Sequence, residues 1–84
     1  MYYVYILLSQ KDSGFYTGLT EDISRRLSEH NAGYVKPTKS RRPFVVVHVE
    51  AFETRIEARS REKYFKTGSG RELRDLILKK HIPR

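Results

Sequence analysis

Residues 2–20 read YYVYILLSQKDSGFYTGLT. The opening YYVYILL is aromatic and aliphatic with little polar alternation, the pattern of a strand buried on both faces. KDSG, residues 11–14, clusters turn formers, with Gly14 free to take a positive φ. FYTGLT then reads as a second strand, so the whole stretch is expected to fold as a β-hairpin. Gly18 inside that strand signals a bulge, or a group lying close against the backbone.

Downstream, Thr20 or Asp22 can cap a helix over about residues 21–32, with acids in its first turn and Gly33 as its stop. At 100° per residue Ile23 and Leu27 define its buried stripe, which leaves His30 about 40° and Arg26 about 80° from the centre. Arg26 and His30 are thus basic groups on one flank, with no acid placed to neutralise both. Residues 34–43, YVKPTKSRRP, carry four basic residues and no acid, and Pro37 and Pro43 mark them as an exposed loop. FVVVHVEAF, residues 44–52, adds a third strand. Thr54 and Glu57 form a capping box for a second helix reaching about Lys66, and TGSG breaks it. RELRDLILKK, residues 71–80, makes a last amphipathic helix with Leu73, Leu76 and Ile77 facing in. The expected fold is α+β: a three-stranded antiparallel sheet flanked by helices, in the order β-β-α-β-α-α.

A chain of 84 residues supports one small core and one domain, since so short a chain buries little more than ~60% of its unfolded surface. It has no cysteine, which excludes disulfides and thiolate metal sites and fits a reducing, cytoplasmic setting. MYYVYILL lacks a basic leader and a small-residue cleavage site, and no run approaches the ~18 apolar residues of a membrane span, so a soluble chain is expected. Seventeen Lys and Arg against ten Asp and Glu give a net charge of +7, the balance of a protein that meets a polyanion such as nucleic acid.

Several chemistries are absent. No serine sits in a GxSxG elbow, no glycine pattern cradles a nucleotide, and His30, His48 and His81 lack zinc-ligand spacing. What remains is phosphate chemistry by a tyrosine, an arginine, a histidine and one carboxylate, since phosphodiester hydrolysis needs a base for the attacking water, a cation for the charge developing at phosphorus, and help for the leaving oxygen.

Tyr3-Val4-Tyr5, then Tyr16-Thr17-Gly18, Arg26 ten residues after Tyr16, His30 four further on, and Glu62 within EARSREKYFK together resemble the GIY-YIG nuclease superfamily. The likeness runs from Tyr3 to Lys66, is closest to the small stand-alone bacterial members, and extends to a basic segment, TKSRRPF, like one in structure-specific nucleases. It implies a β-β-α-β-α-α fold and hydrolysis of DNA phosphodiesters with one divalent ion, Mg²⁺ or Mn²⁺. It further implies Tyr5 and Tyr16 as the paired motif tyrosines, Arg26 as the phosphate clamp, His30 at a position that is histidine or tyrosine in relatives, and Glu62 as the metal ligand. The chain departs from the pattern at Tyr3, where the motif's name has glycine, and at Leu19, where some relatives carry a lysine. An asparagine used by some relatives after the glutamate helix has no counterpart.

Each assignment has a structural alternative. A phenol titrates near ~10 and needs help to act as a base near neutral pH. Tyr16 is read as that base and Tyr5 as its partner, with the reverse open; both also suit a strand core. Arg26 offers a fork for phosphate oxygens or an i−4 tie to Asp22. His30 either serves a phosphate oxygen or sits hydrogen-bonded and half-buried. Glu62 either holds a metal or pairs with Lys66, and periodicity alone does not separate it from Arg61. Lys36, Lys39, Arg41 and Arg42 either track backbone phosphates, flanked by Tyr34 and Phe44, or form a solvated loop. Two functions follow: a metal-dependent DNA endonuclease guided by substrate structure, damage or a protein partner, or a catalytically idle nucleic-acid-binding module in a larger complex. DNA is the expected partner ahead of RNA, and no membrane is expected.

Overall fold

The computed structural model describes residues 1–80; His81 lies outside them. Its elements are β1 (Tyr2–Ser9), β2 (Phe15–Thr20), α1 (Ile23–Ala32), a 3-10 helix (Lys36–Arg41), β3 (Phe44–Phe52), α2 (Arg55–Tyr64) and α3 (Gly68–Lys79). All strand pairs are antiparallel and the sheet order is β2-β1-β3. The central place of β1 explains its unbroken apolar sequence, since side chains on both of its faces are covered. Val4, Tyr5, Ile6 and Leu7 are each at most 2% exposed.

The alternation of β1 divides the molecule into two half-cores. Val4 and Ile6 point to one face and pack with Ala58 and Phe65 of the α2 segment and Leu73 and Ile77 of α3. Tyr5 and Leu7 point to the other, where α1 contributes Ile23 and Leu27 and β3 contributes Phe44. Helices therefore cover both sides of the sheet.

Local capping is close to expectation. Asp22, rather than Thr20, caps α1 by accepting from the Arg25 N–H at 3.0 Å, and Gly33 closes it in the left-handed region at φ 86°. The acids precede the helix and do not enter its first turn. In the β1–β2 turn the positive φ falls on Ser13 at 60°, not on Gly14.

Four expectations change in detail. The irregularity in the sheet lies in β3, where the register slips between Ile6 and Leu7, while β2 stays regular and Gly18 marks a close approach. The basic segment forms a 3-10 helix with Pro37 in its first turn, and its Thr38 is fully buried. α2 ends at Tyr64, ahead of TGSG, and Thr67 caps the following helix through the Gly70 N–H, so α3 starts at Gly68 instead of 71. Leu76 points outward, 57% exposed, and leaves Leu73 and Ile77 to the core.

Candidate active site

The site is built on the Tyr5 face of the sheet. Tyr5 pairs across the ladder with Gly18, and Leu7 with Tyr16, so the two tyrosines and the glycine share that face. A Cβ at Gly18 would overlap the phenol end of Tyr5. The Tyr5 ring thus lies across the glycine, with its hydroxyl toward β2, an edge strand.

α1 lowers His30 onto this hydroxyl. The imidazole is fully buried, its Nε2 is 3.0 Å from the Tyr5 Oη, and its ring stacks edge-on to Tyr16 with centroids 5.0 Å apart. The proton positions follow from the chain of partners. Thr38 donates its hydroxyl proton to the Val35 carbonyl at 3.2 Å, so toward His30 Nδ1, 2.8 Å away, the Thr38 oxygen accepts. This arrangement fits the tautomer with the hydrogen on Nδ1, in which Nε2 accepts from Tyr5. Burial, with the nearby Arg26 cation adding to it, lowers the His30 pKa to about 4, so the ring is neutral near pH 7. Burial likewise raises the Tyr5 phenol above its ordinary value against the pull of Arg26, and the charges of Tyr16 and Glu62 raise it further.

Arg26 stands one turn before His30 on α1 and is about one-third exposed. Its partner is Glu29, with Nη1 donating to Oε1 at 2.9 Å, not Asp22. The flank does have an acid after all, because the Glu29 charge also works against the loss of the His30 proton. Glu29, first among its causes, and then Tyr5 raise the Arg26 pKa.

Glu62 arrives from the opposite face, on α2. Arg61, equivalent to it by periodicity, is tied to β3: Nε donates to Glu50 Oε1 at 2.7 Å and Nη2 to Oε2 at 3.1 Å. Its guanidinium also lies over the rings of Tyr64 and Phe65. Glu62 has no such tie to the sheet, and its ion-pair partners among the described residues are Arg59 and Lys66 of its own segment. Its side chain is only 12% exposed, and Oε1 is buried without a hydrogen-bond partner. Arg59 at 3.7 Å and Lys66 at 3.5 Å are nearby cations. A buried carboxylate oxygen with an unfilled lone pair fits a hard divalent ion, which takes one or two carboxylates and completes its shell with water and phosphate oxygens. Among the described residues no group of three or more acidic or histidine side chains forms a fuller cage.

The structure thus brings Tyr5, Tyr16, Arg26 and His30 together on one face, and the Glu62 charge is the weakest of the influences raising the Tyr5 phenol. The basic 3-10 segment is more engaged than its sequence implies. Arg41 donates to Asp12 at 2.8 Å and to the Phe15 carbonyl at 3.2 Å, and holds the Asp12 carboxyl down to about 2. Arg42 donates to the Lys39 carbonyl. Lys36 and Lys39 are exposed. Tyr34 is 82% exposed, whereas Phe44 is buried at the start of β3. Sequence reasoning missed Glu29 and Thr38. The first was legible as an i+3 partner; the second, a threonine in a proline-bounded basic run, carried no local signal.

Residues 1–74 match the family model described as the GIY-YIG catalytic domain. A UPF0213 protein of Listeria welshimeri is 49% identical over 63 residues, 74% of this chain and 70% of its own. One from Clostridium perfringens is 42% identical over 83 residues, 98% of this chain and 88% of its own. The solution NMR structure of a UPF0213 protein from Bacillus halodurans is similar with a TM-score of 0.55 and 40% identity, covering 92% of this chain and 83% of that one.

Proposed function

Since the chain belongs to the family of GIY-YIG catalytic domains, among the small UPF0213 proteins, we propose that it is a metal-dependent endonuclease hydrolysing DNA phosphodiester bonds. The observation that carries this reading is geometric: the Tyr5 hydroxyl lies 3.0 Å from His30 Nε2, the His30 ring packs on Tyr16, and the charges of Arg26, Tyr16 and, most weakly, Glu62 act on that phenol. These groups come from β1, β2, α1 and α2.

Tyr16 is the base for the attacking water. Tyr5 is 2% exposed and its hydroxyl is engaged by His30, whereas Tyr16 is half-buried and open to a substrate. As the bond from water oxygen to phosphorus forms and the phosphorus–oxygen bond to the departing strand breaks, Tyr16, acting as the phenolate after giving its own proton to solvent, takes the water proton, and the departing oxygen is protonated from solvent. The Arg26 fork meets the non-bridging oxygens, where charge grows in the transition state. Tyr5 and His30 are positioning residues: a neutral hydrogen-bonded pair that fixes one wall of the site without adding charge. Glu62 would hold one Mg²⁺ or Mn²⁺, which when bound supplies positive charge beside the phosphate. Hydrolysis leaves a phosphate on one strand end and a hydroxyl on the other.

A domain this small has little surface with which to read sequence, because even one specific module buries ~600–1,000 Å². Strand structure, damage or a protein partner in the cytoplasm sets the target, with DNA ahead of RNA. A second reading, a binding module with an idle centre, draws support from Leu19. Its side chain packs into the Val4 half-core, so this position brings no cation to the tyrosines.

Purified chain incubated with branched, nicked and single-stranded DNA, with and without Mg²⁺ or Mn²⁺, separates the two. Metal-dependent nicking selects the nuclease. Salt-sensitive binding without nicking selects the binding module.

A further inference from the structure

We propose that a recess beside Tyr16, at the outer edge of β2, is a phosphate subsite that takes the phosphodiester next to the one being cut. The proposal rests on the nuclease reading and deepens it by assigning a path to the substrate strand.

The recess, of about 190 Å³, is lined by Phe15 and Tyr16 of β2 and by Lys66, Arg71 and Arg74 from the end of α2 and from α3. Three cations meet there and no acidic residue lines it. Arg74 is held in place, its guanidinium lying 4.7 Å from the Phe15 ring centroid while Nη2 reaches Asp75 at 3.3 Å. Its Nε–H, however, is buried with no acceptor. A buried donor left unpaired is costly, more so when it belongs to a charged group, so the structure leaves one Arg74 hydrogen bond to be made.

The other two cations are poorly neutralised. Lys66 has only the long 3.5 Å contact to Glu62, and among the described residues Arg71 makes no ion pair. A group with several acceptor oxygens and negative charge satisfies all three, and a guanidinium fork suits phosphate in particular. The neighbouring face of the molecule is a weaker candidate, because Arg41 and Arg42 already donate to protein oxygens.

Position gives the subsite its role. Tyr16 lines the recess and also packs against His30 in the catalytic cluster, so the two share a wall. A strand with one phosphate before Tyr16 and Arg26 then lays the adjacent phosphate into the recess, crossing the β2 edge toward α3.

The test follows the Arg74 Nε–H signal by NMR in metal-free, low-salt buffer, identified as the one missing from the Arg74→Lys spectrum, during titration with inorganic phosphate. A saturable shift is expected, weakened about tenfold in Arg71→Gln and unchanged in Arg55→Gln, which removes the same charge from an exposed position at the start of α2. No saturable shift, or equal affinity in Arg71→Gln, overturns the subsite. A second arm measures binding of single-stranded and nicked DNA against salt. The slope of log affinity on log salt should fall by about 0.7–0.9 in Arg71→Gln, the loss of one phosphate contact. An unchanged slope there, with wild-type binding intact, overturns the subsite alone. A retained phosphate shift with no DNA binding or cleavage by the wild-type chain overturns the nuclease reading, and with it the assignment of the anion to a cut strand.

Discussion

At the scale of single residues the decisive feature is the direction of one proton. Thr38 sets its hydroxyl between the Val35 carbonyl and His30 Nδ1, and in the tautomer with the hydrogen on Nδ1 the ring accepts at Nε2 from Tyr5. Tyr16 is the phenol left free for water. Tyr16→Phe should lower metal-dependent cleavage by about 10²–10⁴-fold, the usual reach of a general base, with melting temperature and DNA affinity near wild type; a rate within a fewfold of wild type removes Tyr16 from the chemistry. Tyr5→Phe should instead act on stability, because it strands a buried imidazole nitrogen. A loss of about 1–3 kcal/mol in urea unfolding is expected.

The same pair sets a pH response. His30 titrates near 6.5 when exposed and at about 4 in the fold. Between those values the unfolded chain holds the extra proton, so stability is complete above about pH 6.5 and declines as pH falls toward 4. The decline amounts to about 3 kcal/mol and levels off below pH 4. Asp12 and Glu50, whose pKa values are lowered from 3.8 and 4.5, act at the acid end, so the pH 5–6.5 interval keeps these carboxylates out of the response. Urea unfolding that is flat across that interval would contradict the buried neutral ring.

At the scale of elements, β2 is defined by what it lacks. Gly18 leaves room for the Tyr5 phenol, and any side chain there would push the hydroxyl off His30. Gly18→Ala should cost about 1–3 kcal/mol by overpacking and lower cleavage as well, measurable as a drop in melting temperature together with a slower rate. A variant as stable and active as wild type would mean that the ring has an alternative seat.

The elements themselves were legible because their signals are local: the apolar run of β1, the turn cluster after it, the Thr54 cap and the Gly33 stop. The start of α3 was not. TGSG has the composition of a breaker, yet Thr67 caps a new helix there, and a Cβ at Gly70 would strike the Tyr64 carbonyl. Glycine at 70 lets α2 and α3 approach closely at their junction. Thr38 escaped for a related reason, since its partner His30 is brought to it only by the packing of α1 on the sheet.

At the scale of the whole molecule the sheet separates the two halves of the proposed centre. Tyr5, Tyr16, Arg26 and His30 belong to the α1 side, while Glu62 comes from the helix on the other side. Sequence periodicity left Arg61 and Glu62 equivalent. Tertiary contact distinguishes them, because Glu50 on β3 takes Arg61 in a two-point ion pair and leaves the glutamate with a buried, unfilled oxygen. The residues of the site could thus be named from the order of motifs, but their meeting across the sheet could not be derived from spacing.

That meeting is tested most directly by a double-mutant cycle on single-turnover cleavage with Mg²⁺, comparing Arg26→Gln, Glu62→Gln and the double variant at saturating protein. If the two side chains act on one phosphate, each single change should remove most of the rate, and the double should fall little below the worse single. Losses that multiply, or full activity in Glu62→Gln, would contradict a shared centre.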